Sequence, residues 1–547
     1  MKEKLNDFVN GIVSLVISQI LIKIFGVIYS VYLTNKTGFG DEGNAIYMSG
    51  YQIYALLLTI SSIGVPNAIS RLIAEKNGQK DIINRERIFL IAIFLFAIVG
   101  IIGTILLYLF SEMFARKVLE IPEASFSLKV LSPAIFFVSI SSVVKGFFNG
   151  INRIKITAKV QFIEQVLKSF FSIIFVEIVS KYFNSNCEIM AAVANFATTI
   201  STFVSMTYIL SEYLKTTKKY ETKIYIQKER ITYIIKKILI ISMPMTLNAI
   251  LLSLGKNIDS ITIVKILKEV IGEENAIKKY GIISSKIDIL ISMPLSFNAS
   301  ISTALIPEIT KLKSKNNINE LLRKIEFSFL ITLIIGIPYS LGIYYYSNDI
   351  LSILFPNANE GANLLRLSAF GVVFSMLTQT INSILQALGN NRVPILASII
   401  GIVCKLILNI YLMPIDGIYE KGAIIGNVLS SIISFFIVFY SLKKMIFFKF
   451  KIFQLSFKPF FGSIIMIVFS LLFKKNVLQN YMKGNILGLI SISIAVIIYV
   501  FLFFLMKFLN KEEVFESIEK CGFDDFKNWK SLKNNNKIEK KSKKRRI

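Results

Sequence analysis

Charged side chains interrupt stretches of this chain that are otherwise apolar, and they are the groups through which it could do chemistry. Lys23 stands in the middle of the run 8–33, and Lys286 and Arg71 belong to two further runs. A cation so placed can hold an anion or pair with a carboxylate from another segment; buried alone it costs a few kcal/mol. Asp288 follows Lys286 by two residues and precedes Pro294 by six, and Asp259 lies close to Lys256. Acids in such positions suit a gate or an ion-coupling element. Glu164 and Lys168 are four residues apart, share a helix face, and read either as a self-neutralising pair or as a second coupling element. Glu177 is a lone acid beyond them. Lys145 and Lys405 lie toward segment ends, where a lysine can snorkel to the interface. Arg71, just past Pro66, could capture a phosphate or anchor its segment at the surface.

Much other chemistry is excluded. The chain has no histidine, which removes a histidine triad, a histidine metal site and a histidine proton relay. Cys187, Cys404 and Cys521 have no metal-ligand spacing and imply no disulfide framework. No Gly-x-x-x-x-Gly-Lys-Ser/Thr phosphate loop is present. We therefore expect no catalytic residues, no metal and no cofactor.

The elements that must position these charges are membrane-spanning helices. The chain is 54% hydrophobic and only 18% charged, with a mean hydropathy of +0.62, against about 25% charged in soluble domains. Its apolar residues gather in runs such as 88–110 and 486–506, long enough to cross about 30 Å of hydrocarbon. We place fourteen helices, at 8–33, 45–74, 86–111, 129–150, 156–182, 187–214, 231–264, 281–308, 325–346, 362–388, 393–414, 421–443, 456–475 and 484–508. The first run is too long for a signal peptide and lacks a small-x-small cleavage site, so it reads as the first span.

The net charge of +27 fits the Lys/Arg surplus of cytoplasmic loops rather than contact with nucleic acid, for which no motif is present. With the N-terminus inside, the loops 75–85, 151–155, 215–230, 309–324, 389–392 and 444–455 are cytoplasmic and strongly basic, which puts both termini in the cytoplasm. The tail 509–547 ends in a basic stretch that could rest on anionic lipid or simply fix topology.

Helix breakers and a repeat complete the pattern. Gly64–Pro66, Pro294 and Pro307 are expected to interrupt their helices and mark bending points. Pro66 and Pro307 end similar segments 241 residues apart; Gly150-Ile151-Asn152-Arg153 and Gly389-Asn390-Asn391-Arg392 place their arginines 239 apart. Two matches at nearly one offset imply two related six-helix bundles, 1–214 and 231–443, joined by a cytoplasmic linker 215–230. The two added helices of 444–508 and the tail follow. An even repeat relates the halves by a pseudo-two-fold along the membrane normal, with a central cavity between them.

The motif Gly64-x-Pro66-x-Ala68-x-Ser70-Arg71-x-x-Ala74-Glu75-Lys76 resembles the helix 2 ending of the polysaccharide-export branch of the multidrug/oligosaccharidyl-lipid/polysaccharide exporter superfamily. Ser18-x-x-x-x-Lys23-x-x-Gly26-x-x-Tyr29, Gly146-x-x-Asn149-Gly150, Glu164-Gln165 and Ser302-x-x-Leu305-Ile306-Pro307-Glu308-Ile309 extend the likeness. Together they resemble the stage V sporulation protein B group and the related Gram-positive lipid II flippases. The resemblance implies translocation of an undecaprenyl-diphosphate-linked sugar, above all lipid II, across a bacterial cell membrane from inner to outer leaflet. It implies no ATP hydrolysis, drive by an H+ or Na+ gradient or by membrane potential, and envelope-synthesis proteins as partners. Lys23, Arg71 and Lys286 would then contact the substrate, and Lys286 with Asp288 would be an acid–base pair lining the cavity.

The chain departs from lipid II flippases in one respect. Helices 1 and 2 lack their cavity arginines, leaving Lys23 and Arg71. A multidrug antiporter on the same fold would want exposed acids and fewer cations, and a membrane glycosyltransferase would need a large outer loop that is missing here. A non-transporting spore or envelope scaffold stays open.

Overall fold

The computed structural model describes residues 2–62, 64–79, 81–182, 186–217, 229–314, 317–357, 359–446, 452–481 and 484–506. The expected tail and most of the linker lie outside the described residues. Within them the architecture is all-helical: α1 (Lys2–Asn35), α2 (Gly40–Ser62), α3 (Gly64–Gly78), α4 (Ile82–Leu109), a short α5 (Ser111–Met113), α6 (Ala124–Gly150), α7 (Ile154–Tyr182), α8 (Cys187–Thr217), α9 (Ile231–Ile271), α10 (Glu273–Gly281), α11 (Asp288–Ser314), α12 (Ile318–Leu354), α13 (Ala362–Ala387), α14 (Arg392–Leu412), α15 (Glu420–Ile446), α16 (Ile452–Phe473), a short α17 (Gln479–Tyr481) and α18 (Asn485–Leu505). Single π-helical turns cover Phe114–Leu119, Ile282–Ile287 and Lys474–Leu478.

Within the described residues the expected segments are helical over most of their length, with 45–74 divided between α2 and α3. Among the described residues nine helices are long and apolar enough to cross a membrane. The helices that carry most of the candidate charges, α1, α3, α7, α9 and α11, are not among those nine, whereas α6 with Lys145 and α14 with Lys405 are. The break before Pro66 is present: α2 ends at Ser62, α3 starts at Gly64, and Pro66 sits in its first turn, where a missing N–H costs nothing. Pro294 and Pro307 do not interrupt their helix. The backbone of α11 stays helical through both, and the irregularity is the π turn just before it. A proline removes one hydrogen bond, which a long packed helix tolerates without ending.

The first half is organised around α6, which packs against α2, α3, α4 and α8. Gly146 and Gly150 let α3 approach it closely, since a Cβ at Gly146 would lie 2.8 Å from the Pro66 carbonyl oxygen and one at Gly150 2.7 Å from Ile73 Cβ. In the second half α13 packs against α11, α12 and α15, and α14 lies on α15. Helices α16 and α18 pack against α12 and each other, fastened by a hydrogen bond from Tyr346 Oη to Ser470 Oγ of 2.8 Å and one from Tyr499 Oη to the Ile334 carbonyl of 2.8 Å. The flanks of α4 and α18 expose Leu90, Phe94, Ile98, Val500 and Phe504, which suits contact with lipid.

The two halves meet differently at their two ends. At the end holding the α1–α2 turn, one apolar core runs through both: Leu33, Phe39 and Ile46 pack with Ile263, Ile283 and Leu351. Hydrogen bonds cross there too, from Asn35 Nδ2 to the Leu354 carbonyl (2.7 Å) and from Asn357 Nδ2 to the Asn35 carbonyl (2.9 Å). At the opposite end the core divides. One part holds Ile69, Phe89 and Phe147 with Ile234 and Ile238 of α9; the other holds Ile309, Ile325, Leu385 and Leu442. The halves share one core at one end and keep separate cores at the other, and α9 reaches from the core of the first half at that second end into the shared core.

Ion pairs fix the entry of α9. Lys76 pairs with Glu229 and, at 3.4 Å, with Asp81, and Lys237 of α9 reaches Glu75 at 3.0 Å. These groups lie in or beside the expected loop 75–85. Burial alone would raise the Asp81 carboxyl, but the side chain and backbone N–H of Asn84 and the Lys76 ammonium outweigh it and hold it below 3.8. Burial opposes the charge on Lys76, and Glu229 and Asp81 hold its ammonium above 10.5.

Two outcomes follow. A depressed carboxyl stabilises the folded state above its unfolded value and loses that contribution as pH falls through the folded value, while a raised ammonium loses its contribution only as pH rises through its folded value. The difference in thermal stability between wild type and Asp81→Asn should therefore be level between 3.8 and 10.5 and vanish in stronger acid; a difference that persists there refutes the assignment. At the shared core, the seal between the halves, a Cβ on Gly281 would lie 1.9 Å from the Asp41 carbonyl oxygen. Gly281→Ala should push the seal apart, and a short bifunctional thiol reagent should cross-link an Asn35→Cys, Asn357→Cys pair several-fold less in that background. Equal cross-linking would show that the seal does not need this close approach.

Candidate functional site

The seal contains the most deeply buried of the candidate charges. Lys286, carried by the π turn before α11, is fully buried, and its ammonium lies 2.7 Å from Asp41 at the start of α2, itself 4% exposed. The Glu360 carbonyl accepts from the same ammonium at 3.5 Å. This corrects two expectations. Lys286 does not face a chamber in this conformation, and it does not form a surface with Asp288. The π turn supplies an extra residue, so Lys286 points across the seam while Asp288 lines a cavity within the second half. Asp41 escaped the sequence reading because it precedes the expected helix 45–74; the structure starts α2 earlier, at Gly40, and brings Asp41 into its first turn.

Asp259 is buried in α9 and forms a 2.7 Å ion pair with Lys405 of α14. Lys405 also donates to the Gly255 carbonyl at 2.6 Å, and Asn427 donates to Asp259 at 3.2 Å. Lys405 is therefore not a snorkelling lysine: a carboxylate from another helix offers it a better partner than the distant interface. The Lys256 side chain lies outside the described residues.

The first half has its own charge cluster. Glu164 and Lys168 share a face of α7 yet do not neutralise each other. Glu164 takes Lys145 of α6 at 3.4 Å and accepts from Ser205 at 3.2 Å, so Lys145 does not snorkel either. Lys168 is buried against tyrosine rings, 3.9 Å from the centroid of Tyr51, 5.6 Å from Tyr29 and 6.0 Å from Tyr47. A desolvated cation over an aromatic face gains about 2 kcal/mol, which makes a carboxylate partner unnecessary. The spacing of Tyr47 and Tyr51, four residues apart on one face of α2, was a legible signal for this cage. Glu177 is not a lone acid: it binds Lys36 at 2.8 Å and the hydroxyl of Tyr32.

Lys23 is half-buried on α1, the helix that packs along α7. Arg71 is exposed on α3 and, among the described residues, has neither an ion pair nor a hydrogen bond. Asn67, Ala74, Glu75 and Gly78 share its exposed face. A lipid-facing helix here exposes Leu, Ile and Phe, as α4 does, so this polar strip between α4, α6 and α9 meets water at the end where the cores divide. The Pro307 side chain, at the corresponding place in the second half, lies outside the described residues.

The arrangement has counterparts. The family model described as polysaccharide biosynthesis protein matches residues 8–313, and the MatE model matches residues 280–411. The lipid II flippase MurJ of Bacillus subtilis (strain 168) is 24% identical over 467 residues, covering 82% of this chain and 84% of the relative. The stage V sporulation protein B of the same organism is 21% identical, covering 73% and 76%. A solved structure titled "Lipid II flippase MurJ, inward closed conformation" superposes with a TM-score of 0.68 at 17% identity, covering 89% of this chain and 97% of that one; it establishes the fold. Relatives and neighbours alike are transporters and flippases rather than enzymes. By its matching family model, this multi-pass membrane chain belongs to the polysaccharide biosynthesis protein family.

Proposed function

We propose that the chain moves an undecaprenyl-diphosphate-linked saccharide, lipid II foremost, from the inner to the outer leaflet of a bacterial cell membrane by alternating access. The observation that carries this reading is the exposed guanidinium of Arg71, unpaired among the described residues, on a polar strip at the end where the two halves keep separate cores, which we read as a cleft. A diphosphate needs a cation with open donors, and a guanidinium offers it bidentate contacts. Lys23, deeper along the same half, would take the anion next. With both termini cytoplasmic, as the basic loops argue, the cleft opens inward and the Asp41–Lys286 seal faces out.

Export then requires the seal to part while the cleft closes. A head group leaving the cytoplasm as an anion moves down an inside-negative field, which supplies about 2.3 kcal/mol per charge at 100 mV, so membrane potential alone could drive it. An H+ or Na+ gradient is the other candidate, with Asp259 and Asp288 as the acids placed to sense it.

Proteoliposomes loaded with fluorescent lipid II test the reading through protection of the head group from an external quencher. Rates equal to those of empty liposomes would remove it. Arg71→Gln should slow transport about tenfold, the worth of one charge-assisted hydrogen bond, while Arg71→Lys keeps most of it; normal transport in Arg71→Gln would take Arg71 out of the site. Breaking one partner of a buried ion pair costs about 3–5 kcal/mol. Asp41→Asn and Lys286→Met should therefore each hold the seal ajar and depress transport. The double exchange Asp41→Lys with Lys286→Asp should recover part of it, and failure to recover would mean that the seal does not depend on this pair.

A further inference from the structure

Translocation as proposed uses an anion site and a seal, and it leaves a third feature unused. Helices α9, α11, α13, α14 and α15 surround a cavity of about 520 Å³ that is open on one side, within the range of about 300–1,000 Å³ common to ligand pockets. We propose that this cavity seats the saccharide head group of the transported lipid. The inference rests on the reading of the chain as a carrier of such lipids and extends it from the anion to the sugar.

The lining carries the argument. Eight hydroxyl side chains and four amide side chains face the cavity, and no aromatic residue does. Several hydroxyls spend their proton on their own helix: Ser368 donates to the Leu364 carbonyl (2.8 Å), Thr378 to Phe374 (2.8 Å), Ser398 to Pro394 (2.9 Å) and Ser431 to Asn427 (2.9 Å). Their oxygens are left to accept. Gln379 is the converse case. Its Oε1 accepts from Asn298 at 2.9 Å, which leaves the amide nitrogen as a donor. Among the described residues the buried Asn382 amide oxygen has no hydrogen-bond partner, a state that costs about 1–3 kcal/mol unless a donor arrives.

A ring of sugar hydroxyls both donates and accepts, and it matches this mixture. Ile291, Leu295 and Val428 offer apolar patches for its C–H faces. An apolar cation would fit poorly. It would want aromatic faces and an uncompensated carboxylate, yet Asp259 is already matched by Lys405 at 2.7 Å. Glycines let α15 pack closely in the cavity wall: a Cβ at Gly401 would lie 2.5 Å from Ser434 Oγ, and one at Gly371 3.2 Å from Val428 Cγ2. Asp288 and Ile291 form the α11 wall, so an occupant would lean on the helix whose preceding turn holds the seal lysine.

The test compares two probes on the full-length protein in nanodiscs, lipid II with its disaccharide and bare undecaprenyl diphosphate. Ser375 of α13 donates to Ser431 of α15 at 2.9 Å on the cavity wall, and Ser375→Leu with Ser431→Leu would push bulk into the cavity. Wild type should bind the sugar-bearing lipid about tenfold more tightly than the bare one, which corresponds to roughly 1.4 kcal/mol. The leucine variant should lose that preference while binding bare lipid normally. Ser375→Ala with Ser431→Ala, which removes hydroxyls without adding bulk, should lose part of it. Equal binding of both lipids by wild type overturns the saccharide seat and leaves the anion site standing. Binding of neither overturns the transport reading itself. A full preference in the variants, or an equal loss for both lipids, shows that the cavity does not read the sugar.

Discussion

The structure turns on one buried ion pair. Asp41 and Lys286 come from different halves of the chain, meet at 2.7 Å, and are almost wholly withdrawn from solvent. Two such charges are costly to bury apart and acceptable only together, so the pair is stable in one relative placement of the halves. Around it the apolar core is continuous across the seam, and Gly281 permits a backbone approach that no other residue would allow. A seal of this kind has two discrete states, because packed interfaces do not stretch.

Other charges in the apolar helices find different solutions. Asp259 has Lys405, Glu164 has Lys145, and Lys168 has the faces of three tyrosines. Arg71 is the contrast, an exposed cation that has no partner among the described residues. Paired charges hold helices in place, and an unpaired one is available to a ligand. That distinction separates the framework of the molecule from its binding surface.

Helix α9 links the two behaviours. Its first turns pack with α3 and α4 in the core of the first half, and Lys237 ties it to Glu75 there. Its later turns carry Asp259 to Lys405 and then enter the shared core at the seal. Relative movement of the halves must therefore pass through this helix, and the carboxylate lies along its course.

The sequence alone determined the class of the molecule. Long apolar runs interrupted by single charges can only be spanning helices around a polar interior, and local breakers such as Gly64 and Pro66 end a helix wherever it stands. What it could not reveal is pairing. Lys286 and Asp41 are 245 residues apart, Asp259 and Lys405 are 146 apart, and no local period records such contacts. Spacing suggested that Glu164 would neutralise Lys168, yet helices α6 and α2 supplied closer partners to each. Nor could proline positions show that α11 runs on through Pro294 and Pro307, because neighbouring helices decide whether a weakened helix bends or stops. Composition fixes which charges need a partner in a low-dielectric interior; only the packed arrangement of helices decides which partner each one finds, and which cation is left for a substrate.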